Sequence, residues 1–216
     1  MKIQAKIGLI GDPHANPDPV AEALALFKQQ GVNHIYCPGD IAGYGDRLPE
    51  TIALLKNSNC RAVIGNHDLW HLQDEAGSTD AATNVYLRSL PYYISETVAG
   101  KSLYMVHACP PDHTRGAIRL LDQSGVLQQE LLSQWQKQLH GFDHDVLIVG
   151  HSHQVYAQQL GNTLLINPGS TSFNHCCAIL SMPDCTVEFH ALSSRPIIPT
   201  WNWSDMVGIS TNSDKE

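Results

Sequence analysis

The chain predicts an α/β protein built on a buried, partly parallel sheet. Two observations carry this. The first half alternates short apolar runs with amphipathic stretches in the order β-α-β-α-β. The 216 residues, 43% of them hydrophobic, are enough for one large core and too few for two ordinary domains.

Residues 3–10 form the first strand, with Ile7-Gly8-Leu9-Ile10 as its apolar end. Asp18-Pro19 opens a helix to about Gln30, with Val20, Ala23, Leu24 and Phe27 on one face. Residues 34–37 are a second strand, 48–57 a helix and 61–64 a third strand. Residues 80–90 are helical and stop at Pro91. The second half opens with a strand at 103–106. An insert at 112–140 reads as one or two helices, with Leu127, Leu131, Leu132 and Trp135 at helical spacing. Strands follow at 146–149, 154–158, 163–166, 176–180 and 186–192. Their short turns make them antiparallel or mixed. One domain is expected over residues 1–193. The tail, 194–216, holds Trp201 and Trp203 and ends in a loose polar stretch.

Charge and cysteine usage exclude several classes. The formal net charge is -8, which argues against stable nucleic-acid binding because no basic face is available. No apolar run approaches the ~20 residues of a membrane helix. The N-terminus lacks the apolar core of a secretory signal, so a cytoplasmic protein is expected. None of the six cysteines (Cys37, Cys60, Cys109, Cys176, Cys177, Cys185) forms a C-x-x-C pair, and they read as reduced core thiols.

The chemistry collects at five strand ends. They read Ile10-Gly11-Asp12-Pro13-His14, Pro38-Gly39-Asp40, Ile64-Gly65-Asn66-His67-Asp68, Val106-His107 and Val149-Gly150-His151-Ser152-His153. Ligands gather at the carboxyl ends of strands in α/β sheets. Glycine there is expected to let the backbone turn sharply. In an extended segment, residues two apart point the same way, so Asp12/His14 and His151/His153 could each reach one ion, or two ions close together. Any one of these motifs is weak. Five together at strand ends are specific.

The ordered set D-x-H, G-D, G-N-H-D, H and G-H-x-H resembles the calcineurin-like metallophosphoesterase superfamily. Its small bacterial members, related to diadenosine-tetraphosphatase-like proteins, are most similar around residues 12–16 and 39–45. Asn167-Pro168-Gly169-Ser170 also recurs in bacterial members. The resemblance implies a four-layer αββα sandwich of two mixed sheets flanked by helices. It implies that Asp12, His14 and His153 hold one metal, that Asn66, His107 and His151 hold a second, and that Asp40 bridges both. Seven N/O donors without a thiolate suit two divalent first-row ions, manganese first, with Fe, Ni, Co or Zn also compatible. The implied reaction is hydrolysis of a phosphate ester by a metal-bridging hydroxide. His67, beside Asn66 but outside the ligand set, is the implied general acid. Asp68 either orients His67 or ties down its loop.

The pattern departs from the family in places. In protein phosphatases of the superfamily the second motif carries Asp and Arg where this chain has Gly43 and Tyr44. The phosphate-clamping arginine is therefore missing. Arg47 either replaces it or is an exposed loop residue. Asn16 is expected to cap or brace its loop. In the insert, Arg115 or Arg119 either meets the far half of the substrate or faces water, and His175 is a further residue to locate. A phosphodiester or nucleotide-type small molecule is the favoured substrate. The alternatives are a phosphoprotein or phosphomonoester phosphatase, a zinc hydrolase of other esters, and a catalytically silent protein-binding scaffold such as the retromer subunit of this fold.

Overall fold

The computed structural model describes residues 4–74, 81–111 and 113–202. The expected starts at residues 3, 80 and 112, Trp203 and the polar end of the tail lie outside the described residues. The elements in order are β1 (Ala5–Leu9), α1 (Pro17–Gln29), β2 (His34–Cys37), α2 (Leu48–Asn57), β3 (Arg61–Ala62), α3 (Asn66–Gln73), α4 (Ala81–Ser89), β4 (Tyr93–Val98), β5 (Lys101–Val106), α5 (Gln129–Gln138), β6 (Val146–Ile148), β7 (Val155–Leu160), β8 (Thr163–Pro168), β9 (Cys176–Met182) and β10 (Thr186–Ala191).

Two five-stranded sheets result, ordered β10-β9-β1-β2-β3 and β4-β5-β6-β8-β7. In the first, β1, β2 and β3 are parallel and β9 runs against β1, with Ile7 opposite Leu180. In the second, β5, β6 and β8 are parallel, while β4 and β7 are antiparallel edges. Both sheets are mixed. Ile7, Leu9 and Leu180 of one sheet meet Met105, Ile148 and Ile166 of the other in the central core. Val20, Phe27 and Leu55 of α1 and α2 cover the outer face of the first sheet. Gly8 faces this layer because the Phe27 ring lies 2.5 Å from where a Cβ would stand. Ile118 and Leu120 of the insert, with Leu132 and Trp135 of α5, cover Leu147 and Leu165 on the second sheet. This is the αββα sandwich the sequence implied.

The differences have local causes. β4 escapes sequence reading because only Ile94 and Val98 of its six residues are buried, as befits an edge strand. The insert forms a single helix, α5. Residues before it are held as irregular chain by the burial of Ile118, Leu120 and Leu121 and by the isolated bridge between Leu121 and Leu127. α1 starts at Pro17, ahead of the expected Asp18-Pro19, and its N-cap Asn16 makes no capping side-chain bond. α3 begins on Asn66, where no helix was expected. The chain does not leave the fold at residue 193. Val155 N donates to Pro199 O at 2.8 Å and Trp201 N to His153 O at 3.0 Å. All six cysteines are free, with Cys37, Cys109, Cys176 and Cys177 buried and Cys60 and Cys185 half-buried. Among the described residues no helix is long and apolar enough to cross a membrane.

Leu180 is fully buried between the sheets, whereas Val85 on α4 is 69% exposed. Leu180→Ala should cost about 2–5 kcal/mol in denaturant unfolding, and Val85→Ala should stay within about 0.5 kcal/mol.

Candidate metal centre

Parallel pairing decides where the polar residues go. β1, β2 and β3 deliver their carboxyl ends to one edge of the first sheet, and β5 and β6 do the same for the second. Face-to-face packing then brings those edges together. Ligand atoms of Asp12, His14 and His153 lie within 4.8 Å of one another, as do those of Asp40, His107 and His151 and those of His14, Asp40 and His67. Asn66 joins through its Oδ1, 2.9 Å from His107 Nε2. All seven residues of the implied ligand set, and His67, therefore converge.

The backbone reaches this arrangement differently from the extended geometry expected. Asp12, His14, Asp40, His151 and His153 have positive φ, between 38° and 66°. Non-glycine residues adopt this region at a cost, and it concentrates at functional sites. The glycines before them mostly serve close approach. A Cβ on Gly65 would stand 2.2 Å from Asp40 Oδ1, and one on Gly150 would stand 2.7 Å from Asp12 Oδ2. The loops carrying these residues are braced through their carbonyls. Ser170 Oγ donates to Asp12 O (2.6 Å), Ser172 Oγ to Pro13 O (2.7 Å), Asn167 Nδ2 to Gly150 O (2.9 Å) and Asn174 Nδ2 to His153 O (2.9 Å). The Asn-Pro-Gly-Ser motif thus has a positioning use that sequence reading did not assign.

The donor set fits cations. His14 Nδ1 lies 3.1 Å from Ala42 O, and His107 Nδ1 lies 2.7 Å from Pro38 O. A carbonyl only accepts, so each Nδ1 carries the proton and each Nε2 faces the cluster, the usual arrangement of a ligating imidazole. His14 Nε2 and His153 Nε2 stand 3.0 Å apart. Burial pulls His14 down to about 4, and His153 well below the ordinary histidine value, so both are neutral and ligand-ready. Burial, then His107, takes His151 down to about 4. Burial raises Asp12 to about 8, and its Oδ2 is buried with no hydrogen-bond partner among the described residues. That unmet acceptor suits a cation. Burial also works against the charge on Asp40, but His107 at 3.3 Å outweighs it, so Asp40 is held below the usual carboxylate range. Burial works against a charge on His107 as well, but Asp40 outweighs it and lifts the imidazole to about 9, holding a proton on Nε2 that a cation there would have to displace.

Asp68 shows how the third loop is held. Its Oδ1 accepts from Ala42 N at 2.7 Å and its Oδ2 from Gly65 N at 2.8 Å. It sits in the first turn of α3, where a carboxylate meets the free amide ends of a helix. Its hydrogen bonds are those of a loop tie. Burial, then Asp40, raises it to about 7. Arg47 is taken up by Asp18 and Glu50 at 2.8 and 2.6 Å, in accord with the exposed-loop alternative. Arg119 is exposed, and its charge acts on His151. His175 meets Arg195 at 3.4 Å and stands outside the three clusters. Sequence reading also passed over the rings around His67. Tyr44 and Trp70 lie 4.8 and 4.7 Å from it, and nothing in residue type alone distinguishes them from core aromatics.

A buried His/Asp cluster at the joined edges of two mixed sheets is a candidate metal-binding site. Residues 5–182 match the calcineurin-like phosphoesterase superfamily domain, and the chain belongs to that family. It is 27% identical over 183 residues to an uncharacterized protein of Methanocaldococcus jannaschii, covering 77% of this chain and 70% of that one. It is 22% identical over 177 residues to a phosphodiesterase of the same archaeon, covering 82% and 87%. A metallophosphoesterase from Sphaerobacter thermophilus shares the fold, with a TM-score of 0.68 and 22% identity over 89% of this chain and 90% of that one.

Gly65→Ala isolates the close-approach constraint, because its added methyl also meets the Asp40 backbone N at 2.3 Å. We expect a loss of about 1–3 kcal/mol, seen as a melting temperature lower by roughly 2–10 °C.

Proposed function

We propose that the protein is a dinuclear metal-dependent phosphoesterase acting on phosphodiester or nucleotide-type small molecules. The observation that supports it best is the sharing of Asp40. The Asp40 carboxylate lies within 4.8 Å of ligand atoms of His107 and His151 on one side and of His14 on the other, and His14 groups in turn with Asp12 and His153. In this reading Asp12, His14 and His153 hold one ion, Asn66, His107 and His151 the other, and Asp40 both. Divalent ions held there supply Lewis-acid polarisation of phosphoryl oxygens and a nucleophile from water at neutral pH.

The chain's own residues do the rest. Pro38 O and Ala42 O orient His107 and His14 through their Nδ1 atoms. Asp68 fixes the turn that presents Asn66 and His67. His67 is half-buried, with its ring 4.9 Å from that of His14, and donates a proton to the leaving oxygen. The phosphate-clamping arginine of protein phosphatases has no counterpart at Tyr44, which favours small substrates over phosphoproteins. The protein is read as cytoplasmic, and manganese is the first ion to test.

Metal-loaded protein should contain two ions per chain by elemental analysis and should hydrolyse bis(p-nitrophenyl) phosphate with added Mn²⁺. Asp40→Asn should weaken both sites, and His14→Ala mainly one. Loaded protein with one ion or none would refute the dinuclear reading.

His67→Ala should keep both ions and lower turnover by roughly 10²–10⁴. The loss should be smallest for a nitrophenolate leaving group and largest for an alkoxide, which needs the proton. A lost ion would make His67 a ligand. Equal losses on both substrates would instead place it on the phosphoryl oxygens.

A further inference from the structure

The residues of the candidate centre are not equally covered. Asp12, His14, Asp40, Asn66, His107 and His153 are buried, whereas His67 and His151 are half-buried. Solvent, and any ligand that enters from it, reaches the centre past these two rings. What stands beside His151 is therefore what an entering ligand meets.

Residues 115–121 of the insert form a wall there. The start of the segment is tied to the loop after His107. Cys109 Sγ donates to Arg115 O at 3.5 Å and lies 3.2 Å from where a Cβ on Gly116 would stand. The end is tied to the residue after His153, with Gln154 Oε1 accepting from Leu120 N at 2.8 Å and Leu121 N at 3.0 Å. Between these ties Ile118 and Leu120 are fully buried, and Ile118 O accepts from Tyr156 Oη. Arg119 stands between two anchored neighbours, so its backbone has little freedom. It is exposed, yet its guanidinium stays close enough for its charge to act on His151.

Arg47 and Arg61 are held by carboxylates. Arg119 makes no ion pair and no side-chain hydrogen bond among the described residues. A guanidinium left unpaired beside a cation-binding cluster is uncompensated, and divalent ions held in the centre would repel it. An anion lying between the arginine and the ions is attracted by both and removes the conflict. The planar guanidinium matches two phosphoryl oxygens at once, a fit that an ammonium lacks.

We propose that Arg119 is a phosphate-binding residue that contacts the non-bridging oxygens of the phosphoryl group beside His151, supplying from the insert the clamp that the second motif lacks at Tyr44. This rests on the phosphoesterase reading for the presence of a phosphoryl group there. It gives the packed insert a use in binding, through a residue that belongs to none of the five strand-end motifs.

The test is equilibrium binding of inorganic phosphate, which needs no turnover. Phosphate is titrated calorimetrically into Mn²⁺-loaded wild-type protein, Arg119→Gln, Arg119→Lys and Lys137→Gln, with metal content and melting temperature measured for each. Lys137 is exposed on α5 and controls for the loss of one surface charge. Arg119→Gln should keep its ions and weaken phosphate roughly 10- to 100-fold, the loss of a charge-assisted pair of hydrogen bonds. Arg119→Lys keeps the charge without the paired geometry and should fall between wild type and Arg119→Gln. Lys137→Gln should stay within about twofold of wild type, as screening of a distant surface charge requires. Phosphate affinity within about twofold of wild type in Arg119→Gln would overturn the assignment. So would an equal loss in Lys137→Gln, the mark of a net-charge effect, or an ion lost from Arg119→Gln, the mark of a disturbed centre. Phosphate held through Arg119 by a protein that hydrolyses no ester would leave the assignment standing and remove the phosphoesterase reading instead.

Discussion

Asp40 carries a negative charge in a place water does not reach, at the seam between the two sheets. Isolated, such a charge would be prohibitive. It is tolerated because His107 comes from the opposite sheet to 3.3 Å and because His67 N donates to Oδ1 at 2.8 Å. The two halves of the chain thus meet through one carboxylate. Gly65 must be glycine for the third loop to come close enough, and Asp68 must hold that loop to Ala42.

The same seam explains where the strain sits. Five residues of the centre have left-handed backbone, whereas the strands behind them are regular and their core is closed. Strain of this kind persists only when its surroundings over-determine it. Here the surroundings are polar. Asn167 at the end of β8, and Ser170, Ser172 and Asn174 in the β8–β9 connection, hold the carbonyls of the strained loops. The centre therefore takes its candidate ligands from the strand ends and its braces from the end of β8 and the β8–β9 connection.

The insert joins by a similar device. Gln154, buried directly after His153, accepts from Leu120 N and Leu121 N at 2.8 and 3.0 Å and donates to Leu121 O at 2.7 Å. Tyr156 Oη donates to Ile118 O at 2.9 Å. Two polar side chains, one just before β7 and one within it, anchor the irregular segment by its backbone. It is a packed wall beside the centre, with Arg119 left at its surface.

The order β-α-β-α-β, the glycine-ended strands and all seven candidate ligands were legible in the sequence, because apolar periodicity and residue chemistry are local properties. So was the sandwich, through motifs in family order. Hidden were those features whose meaning depends on a distant partner. β4 shows little alternation because as an edge strand it buries only two side chains. Gly65 and Gly150 look like turn residues until Asp40 and Asp12 are seen to occupy the space of their missing Cβ. Asp68 could orient His67 or hold a loop, and only the fold reveals that its oxygens accept from Ala42 N and Gly65 N, the bonds of a loop tie. Residue types and their order along the chain determined which chemistry was available. Sheet pairing and side-chain packing decided which atoms meet, because contacts between residues far apart in the chain are set by the whole core and not by any local pattern.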